Sequence, residues 1–323
     1  MQNEKKGLII IGAAGQQGQE YLGIMHHLKD LVDLRAVVDL RTNELARIAT
    51  HYNVPFFKSA DHAMAKTDFD LALITVPHHG HYENTIAMLN NNKHVIKEKP
   101  FAITYERATN LINSAKENNV QLFTVVQRSH RQMFNLIQDK LPLIGEPYSF
   151  HYEYYKNFKS ITPGWRSNHS LSSGGVVLDM GFHIIDMILR LFGSPTNIEA
   201  QFSYCYPHTL KERLEDSANI IFSYPHKNLI GNISLARHHY IKQEQLEILG
   251  TTGAIVVTPQ HLKIFGRSGE LIEDITCQES KLDGVINMFQ HYLTNIENKN
   301  YFEQENYIQL NNVRLIEQIY QNK

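Results

Sequence analysis

The chain is short of cysteine, of net charge and of long apolar runs, and each shortage removes a class of protein. Only two cysteines, Cys205 and Cys277, occur in 323 residues. They sit far apart, in no metal-ligand spacing, which predicts a reduced, cytoplasmic setting rather than a disulfide scaffold. A formal net charge of −2 with no basic block argues against nucleic acid as the main partner. The apolar run that follows the polar start Met1–Lys6 is short and ends in glycines. It reads as a buried strand, so neither a signal peptide nor a membrane span is expected. Histidine, by contrast, is abundant: there are 18, including His26-His27, His78-His79-Gly80-His81 and His238-His239. None of these groups has the spacing that sets ligands on one face with carboxylate or thiolate help, so no metal is expected. With 42% apolar and 20% charged residues, the chain can build two cores of ordinary size.

Gly7 to Ile11 is continuously apolar, as a strand buried on both faces must be. Gly12-Ala13-Ala14-Gly15-Gln16-Gln17-Gly18 follows at once, and a helical pattern with Tyr21, Leu22, Met25 and Leu28 on one side comes next. Strand, glycine turn and helix is the context of a phosphate-binding loop, in which backbone amides at a helix start meet a pyrophosphate. The spacing is G-x-x-G-x-x-G, with Ala14 in place of the usual second glycine. A second strand, Leu34 to Val38, ends in Asp39, at the distance expected of an acid that binds the adenosine ribose. A carboxylate there favours NAD over NADP, although Arg41 could meet a 2′-phosphate.

The alternation continues through helices at Glu44–Tyr52 and Asp61–Lys66 and a strand at Leu71–Val76. A turn at Pro77–His81, a helix at Tyr82–Asn90 and a strand at His94–Lys97 follow, the last ending in Glu98-Lys99-Pro100. A helix at Thr104–Asn118 and a strand at Gln121–Val126 complete the series. This predicts an α/β fold: a Rossmann doubly wound parallel sheet over residues 1–126, with ligands bound beyond the carboxyl ends of its strands. Gly12–Gly18, Asp39, Val76–His81 and Glu98–Pro100 all fall at such ends. Residues 127–323 read differently. Strands are predicted at 146–155, 197–206, 218–224, 229–236, 244–249, 253–257 and 262–265, with helices near 175–192, 284–296 and 305–320. This second domain reads as α+β with an open-faced, largely antiparallel sheet, whose free face predicts a homo-oligomer.

In this order the chain resembles the glucose-fructose oxidoreductase / inositol dehydrogenase / MocA family. The resemblance rests on Gly12–Gly18, Asp39, Val76-Pro77 with His81, Glu98-Lys99-Pro100, Trp165-Arg166, and Gly174-Gly175 through Asp179, His183 and Asp186. It implies a nicotinamide cofactor (NAD, with NADP possible) and a sugar or polyol substrate. The family's catalytic lysine falls on Lys99, and its aspartate and histidine on Asp179 and His183; the family's Lys–Pro bond is commonly cis. The chain departs from the pattern at Lys97, where a small or apolar residue is common, at His78, where asparagine is common, and in the Arg128–Arg131 segment.

Oxidation of an alcohol requires a base for the hydroxyl proton and an acceptor for the hydride. His183 suits the base by its neutral-range pKa, Asp179 one helical turn earlier suits orienting the imidazole or hydrogen-bonding a substrate hydroxyl, and Lys99 suits stabilisation of alkoxide character. Taken singly, His183 reads as a core histidine and Lys99 as a surface lysine; the joint pattern reverses both. Trp165 and Arg166 are expected to line the substrate site or anchor their loop, Asp186 to hold a neighbouring loop or arginine, and Tyr152 and Tyr154 to pack. The residues are compatible with two further readings: an NAD-dependent glycosidase with transient redox, and a nucleotide-sensing regulatory protein without turnover.

Overall fold

Lys6–Ile11 forms β1, buried from Gly7 onward, and feeds α1 (Gln16–Gly23) through the glycine turn. The computed structural model describes residues 5–161 and 163–321. The series runs on as β2 (Val32–Val38), α2 (Thr42–Tyr52), β3 (Phe56–Phe57), α3 (Ala60–Lys66), β4 (Leu71–Ile74) and α4 (His78–Asn90). It closes with β5 (His94–Lys97), α5 (Tyr105–Glu117) and β6 (Leu122–Thr124). Local chemistry sets the boundaries. The hydroxyls of Ser59 and Thr104 accept the amides of His62 and Arg107 at the starts of α3 and α5, and Asn53 ends α2 in the left-handed region. The strands pair in parallel in the order β3-β2-β1-β4-β5-β6, so the order reverses between β1 and β4. The start of α4 is among the boundaries that differ from the sequence reading. Pro77 caps α4, which starts at His78, so the segment 78–81 is the first turn of a helix rather than a loop. Proline directly before a helix satisfies the capping position without needing an amide.

The second unit begins at Val126. It contains α6 (Gln132–Lys140), β7 (Pro147–Asn157), α7 (His169–Ser172), α8 (Phe182–Phe192), β8 (Asn197–Ser203), α9 (Pro207–Lys211), β9 (Ser217–Tyr224) and β10 (Leu229–Ala236). The strands β11 (His238–Gly250), β12 (Gly253–Val257), β13 (His261–Gly266) and β14 (Leu271–Thr276) complete an eight-stranded sheet. Its order is β14-β13-β12-β11-β7-β10-β9-β8, antiparallel except where β7 meets β10. Alternation decides which face is covered: Ala218, Ile220, Phe222 and Tyr224 of β9 are buried, while Ile221 is exposed. Phe150 of β7 stacks on Phe192 of α8 with ring centroids 4.8 Å apart, which fastens that helix to the covered face.

The last two helices, α10 (Lys281–Thr294) and α11 (Lys299–Gln321), do not stay with the second unit. Residues Val285–Val313 belong to the first, and from Arg314 the chain is again in the second. The first unit therefore unites residues up to Val125 with Val285–Val313. The physical reason is the apolar face of α10 and the start of α11. Val285, Met288, Phe289, Tyr292 and Phe302 share one core with Leu8, Ile10, Leu73 and Phe123. Tyr292 stacks on Phe123 at 3.9 Å, and its hydroxyl donates to the Thr124 carbonyl at 2.8 Å.

Candidate active site

Within the first unit, the candidate residues converge on the edge where the strand order reverses. The Gly12 and Ala13 amides donate to the Val38 carbonyl, and the Gly15 amide donates to the Gly12 carbonyl at 3.0 Å, which closes the turn. Gly12 has φ of +91°, and a β-carbon there would lie 2.8–2.9 Å from Thr75 and Val76 at the end of β4. At Gly18 a β-carbon would overlap the Gly12 carbonyl and Ala13, so α1 approaches the turn as closely as glycine permits. Thr75, which the sequence reading did not single out, donates its hydroxyl to the carbonyls of Ile11 and Gly12. Gly15 caps α1 with no side-chain partner. The first-turn amides therefore suit an outside anion, and the cradle fits the pyrophosphate of a dinucleotide.

Asp39 braces this loop. Its Oδ2 accepts the Ala14 amide and its Oδ1 the Arg41 amide, each at 3.0 Å. The Arg41 guanidinium lies 3.4 Å from Asp39 and 3.5 Å from Glu44, with about half its side chain exposed. It also comes within 3.6 Å of where a Gly15 β-carbon would stand, so a positive charge sits beside the glycine turn. Gln16 is exposed and bonds Glu20, whereas Gln17 reaches Glu98 at 3.4 Å.

Glu98 is a frame residue. It is 9% exposed, accepts the Tyr21 hydroxyl of α1, and accepts the Lys99 amide at 3.1 Å. Burial, with the Glu98 carboxylate beside it, pushes the Tyr21 hydroxyl well above its ordinary pKa and keeps it a donor. The Lys99–Pro100 bond is cis. His81 is buried with its Nε2 2.7 Å from the Val76 carbonyl, which places it as a brace for the Val76-Pro77 turn rather than on an open surface. Burial, then the charges of Lys97 and His78, pull its pKa well below the ordinary value, so it is neutral.

Within the second unit, Gly174 and Gly175 are explained by close approach. A β-carbon on Gly175 would overlap the Glu215 backbone, and one on Gly174 the Tyr320 hydroxyl. Glu215 is buried and accepts the Gly175 and Val177 amides at 3.0–3.1 Å and the Tyr320 hydroxyl at 2.8 Å. Burial raises its pKa. Val177–Gly181 is a π-turn that runs into α8, so Asp179 lies in π geometry and His183 in the first α-helical turn. The sequence reading had one regular helix here. Such turns occur often at functional positions.

Asp179 gathers two arginines. Its Oδ2 accepts from Arg237 at 3.4 Å, and its Oδ1 lies 3.9 Å from Arg166. Arg166 in turn lies over the Trp165 ring at 4.2 Å. The structure thus brings Trp165, Arg166 and Asp179 together, and adds Arg237, which local sequence gave no reason to select. Arg237 sits between β10 and β11 and is 5% exposed. His183 is half-buried, with its ring edge-on to Phe182. Asp186 pairs with Arg190 at 3.1 Å, as expected of a structural carboxylate. Tyr152 and Tyr154 are buried: the Tyr152 hydroxyl donates to Glu244 at 2.8 Å, and Arg128 lies over the Tyr154 ring. Among the described residues, no helix is long and apolar enough to cross a membrane.

Comparison with known proteins agrees with this organisation. Residues 6–126 match the oxidoreductase family model described as an NAD-binding Rossmann fold, and residues 130–256 match the GFO/IDH/MocA C-terminal domain. The chain is 27% identical over 261 residues to scyllo-inositol 2-dehydrogenase (NADP(+)) IolU of Bacillus subtilis, covering 77% of this chain and 76% of that one. It is 27% identical over 195 residues to the D-glucoside 3-dehydrogenase of Escherichia coli, covering 58% and 54%. Its fold matches KijD10, a 3-ketoreductase from Actinomadura kijaniata, with a TM-score of 0.87 over 99% of this chain and 98% of that one, at 17% identity. With a glycine cradle for a dinucleotide and both family domains in sequence, the chain belongs to the Gfo/Idh/MocA family of NAD(P)-dependent oxidoreductases.

Proposed function

We propose that the protein transfers a hydride between NAD(P) and a hydroxyl-bearing carbon of a sugar, an inositol-like polyol or a sugar derivative. Lys99, Asp179 and His183 are the working groups. The observation that carries this reading is Lys99 itself. It follows β5 at the sheet edge that bears the glycine turn, with its amide fixed by Glu98 and Glu98 fixed to α1. Relatives named for inositol and glucoside dehydrogenation support the substrate class.

The bound nicotinamide supplies the hydride acceptor or donor. The protein's side chains manage the proton and the charge. His183 takes the hydroxyl proton, for which an imidazole is suited near neutral pH. The Lys99 ammonium stabilises negative charge as it develops on the reacting oxygen. Asp179, which accepts from Arg237, orients substrate hydroxyls. Arg166, stacked on Trp165, lines the substrate side. NAD is the preferred coenzyme because Asp39 stands at the ribose position, and Arg41 confers tolerance of NADP. The exposed Ile221 and Ile230 on the second sheet support assembly into a homodimer or homotetramer, and two free cysteines suit a reducing cytoplasm.

A panel of sugars, inositols and sugar acids with NAD and NADP, read by absorbance of the reduced coenzyme, tests the reading. The active substrate is then given to Lys99→Ala, whose turnover should fall by orders of magnitude while coenzyme affinity is nearly unchanged. Full activity of that variant sinks the assignment of Lys99.

A further inference from the structure

The chain carries a lysine where burial is complete. Lys97, the last residue of β5, is 0% exposed, and its Nζ donates to the carbonyls of Pro100 at 2.7 Å and Phe101 at 2.6 Å. Its own backbone is held on both sides: β5 pairs with β4 and β6, and the Lys97 carbonyl accepts the Val125 amide at 2.9 Å. A rigid strand end thus reaches forward through one side chain to grip the segment on the far side of Lys99. An apolar side chain could fill this volume without the desolvation that a lysine incurs, so packing alone does not account for an amine here.

We propose that Lys97 is a positioning residue, whose amine fixes the Pro100–Phe101 carbonyls and so sets the place from which Lys99 works. This rests on the reading of Lys99 as catalytic. The surroundings support it. Lys97 lines a small cavity with His78, His81, Pro100, Phe101 and Arg107, of about 10 Å³, room for roughly one water. From α4, His81 braces the Val76 turn and faces the same cavity, so the two loops at this edge are tied to one buried cluster. The charged and titratable groups around the amine are His78, His81 and Tyr82 from α4, Arg107 from α5, and Glu98 beside it in the chain. Burial lowers the Lys97 pKa to about 7. Even the neutral amine keeps two N–H groups, enough for the two carbonyls, so the grip persists across that titration.

The test compares wild type with Lys97→Met, which keeps the volume and loses the donor, and with Lys97→Gln, which retains a shorter donor. Activity is measured on the substrate found in the panel, coenzyme affinity by titration of NADH fluorescence, and the Lys99 side chain by its NMR titration in protein labelled with ¹³C-lysine. Lys97→Met should lower kcat about 10- to 100-fold. NADH affinity should stay within about 3-fold and the Lys99 titration should move; Lys97→Gln should fall between. A folded Lys97→Met with unchanged kcat and an unchanged Lys99 titration overturns the proposal, as does a Lys97→Gln with both unchanged should the methionine variant not fold. Lys99→Ala is run beside them: if that variant is fully active, the catalytic reading of Lys99 has failed, a result distinct from failure of the Lys97 grip.

Discussion

Replacing Arg41 by alanine should separate the two coenzymes. Arg41 is the basic side chain nearest the glycine turn, and Asp39, which it flanks, is occupied by the Ala14 and Arg41 amides. A guanidinium against a 2′-phosphate makes charge-assisted hydrogen bonds worth about 1.5–3 kcal/mol in a dry site. Arg41 is about half exposed and already shares its charge with Asp39 and Glu44, which reduces the gain to about 1–2 kcal/mol. Each 1.4 kcal/mol is tenfold, so NADPH should bind Arg41→Ala about 5- to 30-fold more weakly than wild type. NADH has no 2′-phosphate and should change by less than about 2-fold. Because the contact is exposed, the NADPH loss should shrink as salt rises and the Debye length contracts to a few ångströms. Titrating the intrinsic coenzyme fluorescence at low and high salt measures both constants. Equal weakening of NADH and NADPH would mean that Arg41 acts by holding Asp39, and the phosphate reading would be wrong.

The remaining expectations concern stability. Glu215→Ala leaves the Gly175 and Val177 amides and the Tyr320 hydroxyl without their acceptor in a buried place. It should cost about 3 kcal/mol, seen as a lower denaturant midpoint at unchanged slope; a loss under about 0.5 kcal/mol would contradict the cap. Lys97 has a folded pKa of about 7, below that of a free lysine, so the unfolded state binds the extra proton between the two values. Wild-type stability relative to Lys97→Met should therefore rise with pH from about 7 upward, by at most about 1.4 kcal/mol per pH unit, and be flat below about 7. A difference that does not change from pH 7 to 9 would place the lysine pKa elsewhere. Tyr292→Phe removes a buried donor to Thr124 but keeps the ring stack, so about 1 kcal/mol should be lost, while Tyr292→Ala should lose about 3–5 kcal/mol; chemical denaturation distinguishes the two.

Much of the architecture is legible in the sequence because its signals are local. The ranges predicted for β10 and β12, 229–236 and 253–257, coincide with the observed ones. Glycine turns and chain order mark the sheet edge that carries the candidate coenzyme site. What escaped depends on contacts distant in the chain. The strand β14 has no buried residue and is held by backbone pairing to β13, so no pattern marks it. The strand β3 is two residues long, and α6 directly follows the basic segment Arg128–Arg131. At the site, Glu98, Lys99, Asp179 and the glycines could be singled out by motif. Thr75, Glu215 and Arg237 could not, because each acts through a partner 58 to 64 residues away or, for Glu215, about 40. The regular spacing of Asp179 and His183 suggested an α-helix, and only the structure reveals the π-turn, since backbone bonding one residue out of step leaves no compositional trace.

The route of the chain through the first unit has a consequence for its manufacture. The sheet and helices up to Val125 are synthesised early, yet Phe123 is covered by Tyr292 and Phe302, which follow Val285. At 5–20 residues per second the ribosome needs about ten to thirty seconds to make the intervening stretch. For that interval an aromatic and aliphatic surface stands uncovered on the nascent chain. The early segment therefore completes its core only once Tyr292 and Phe302 have emerged.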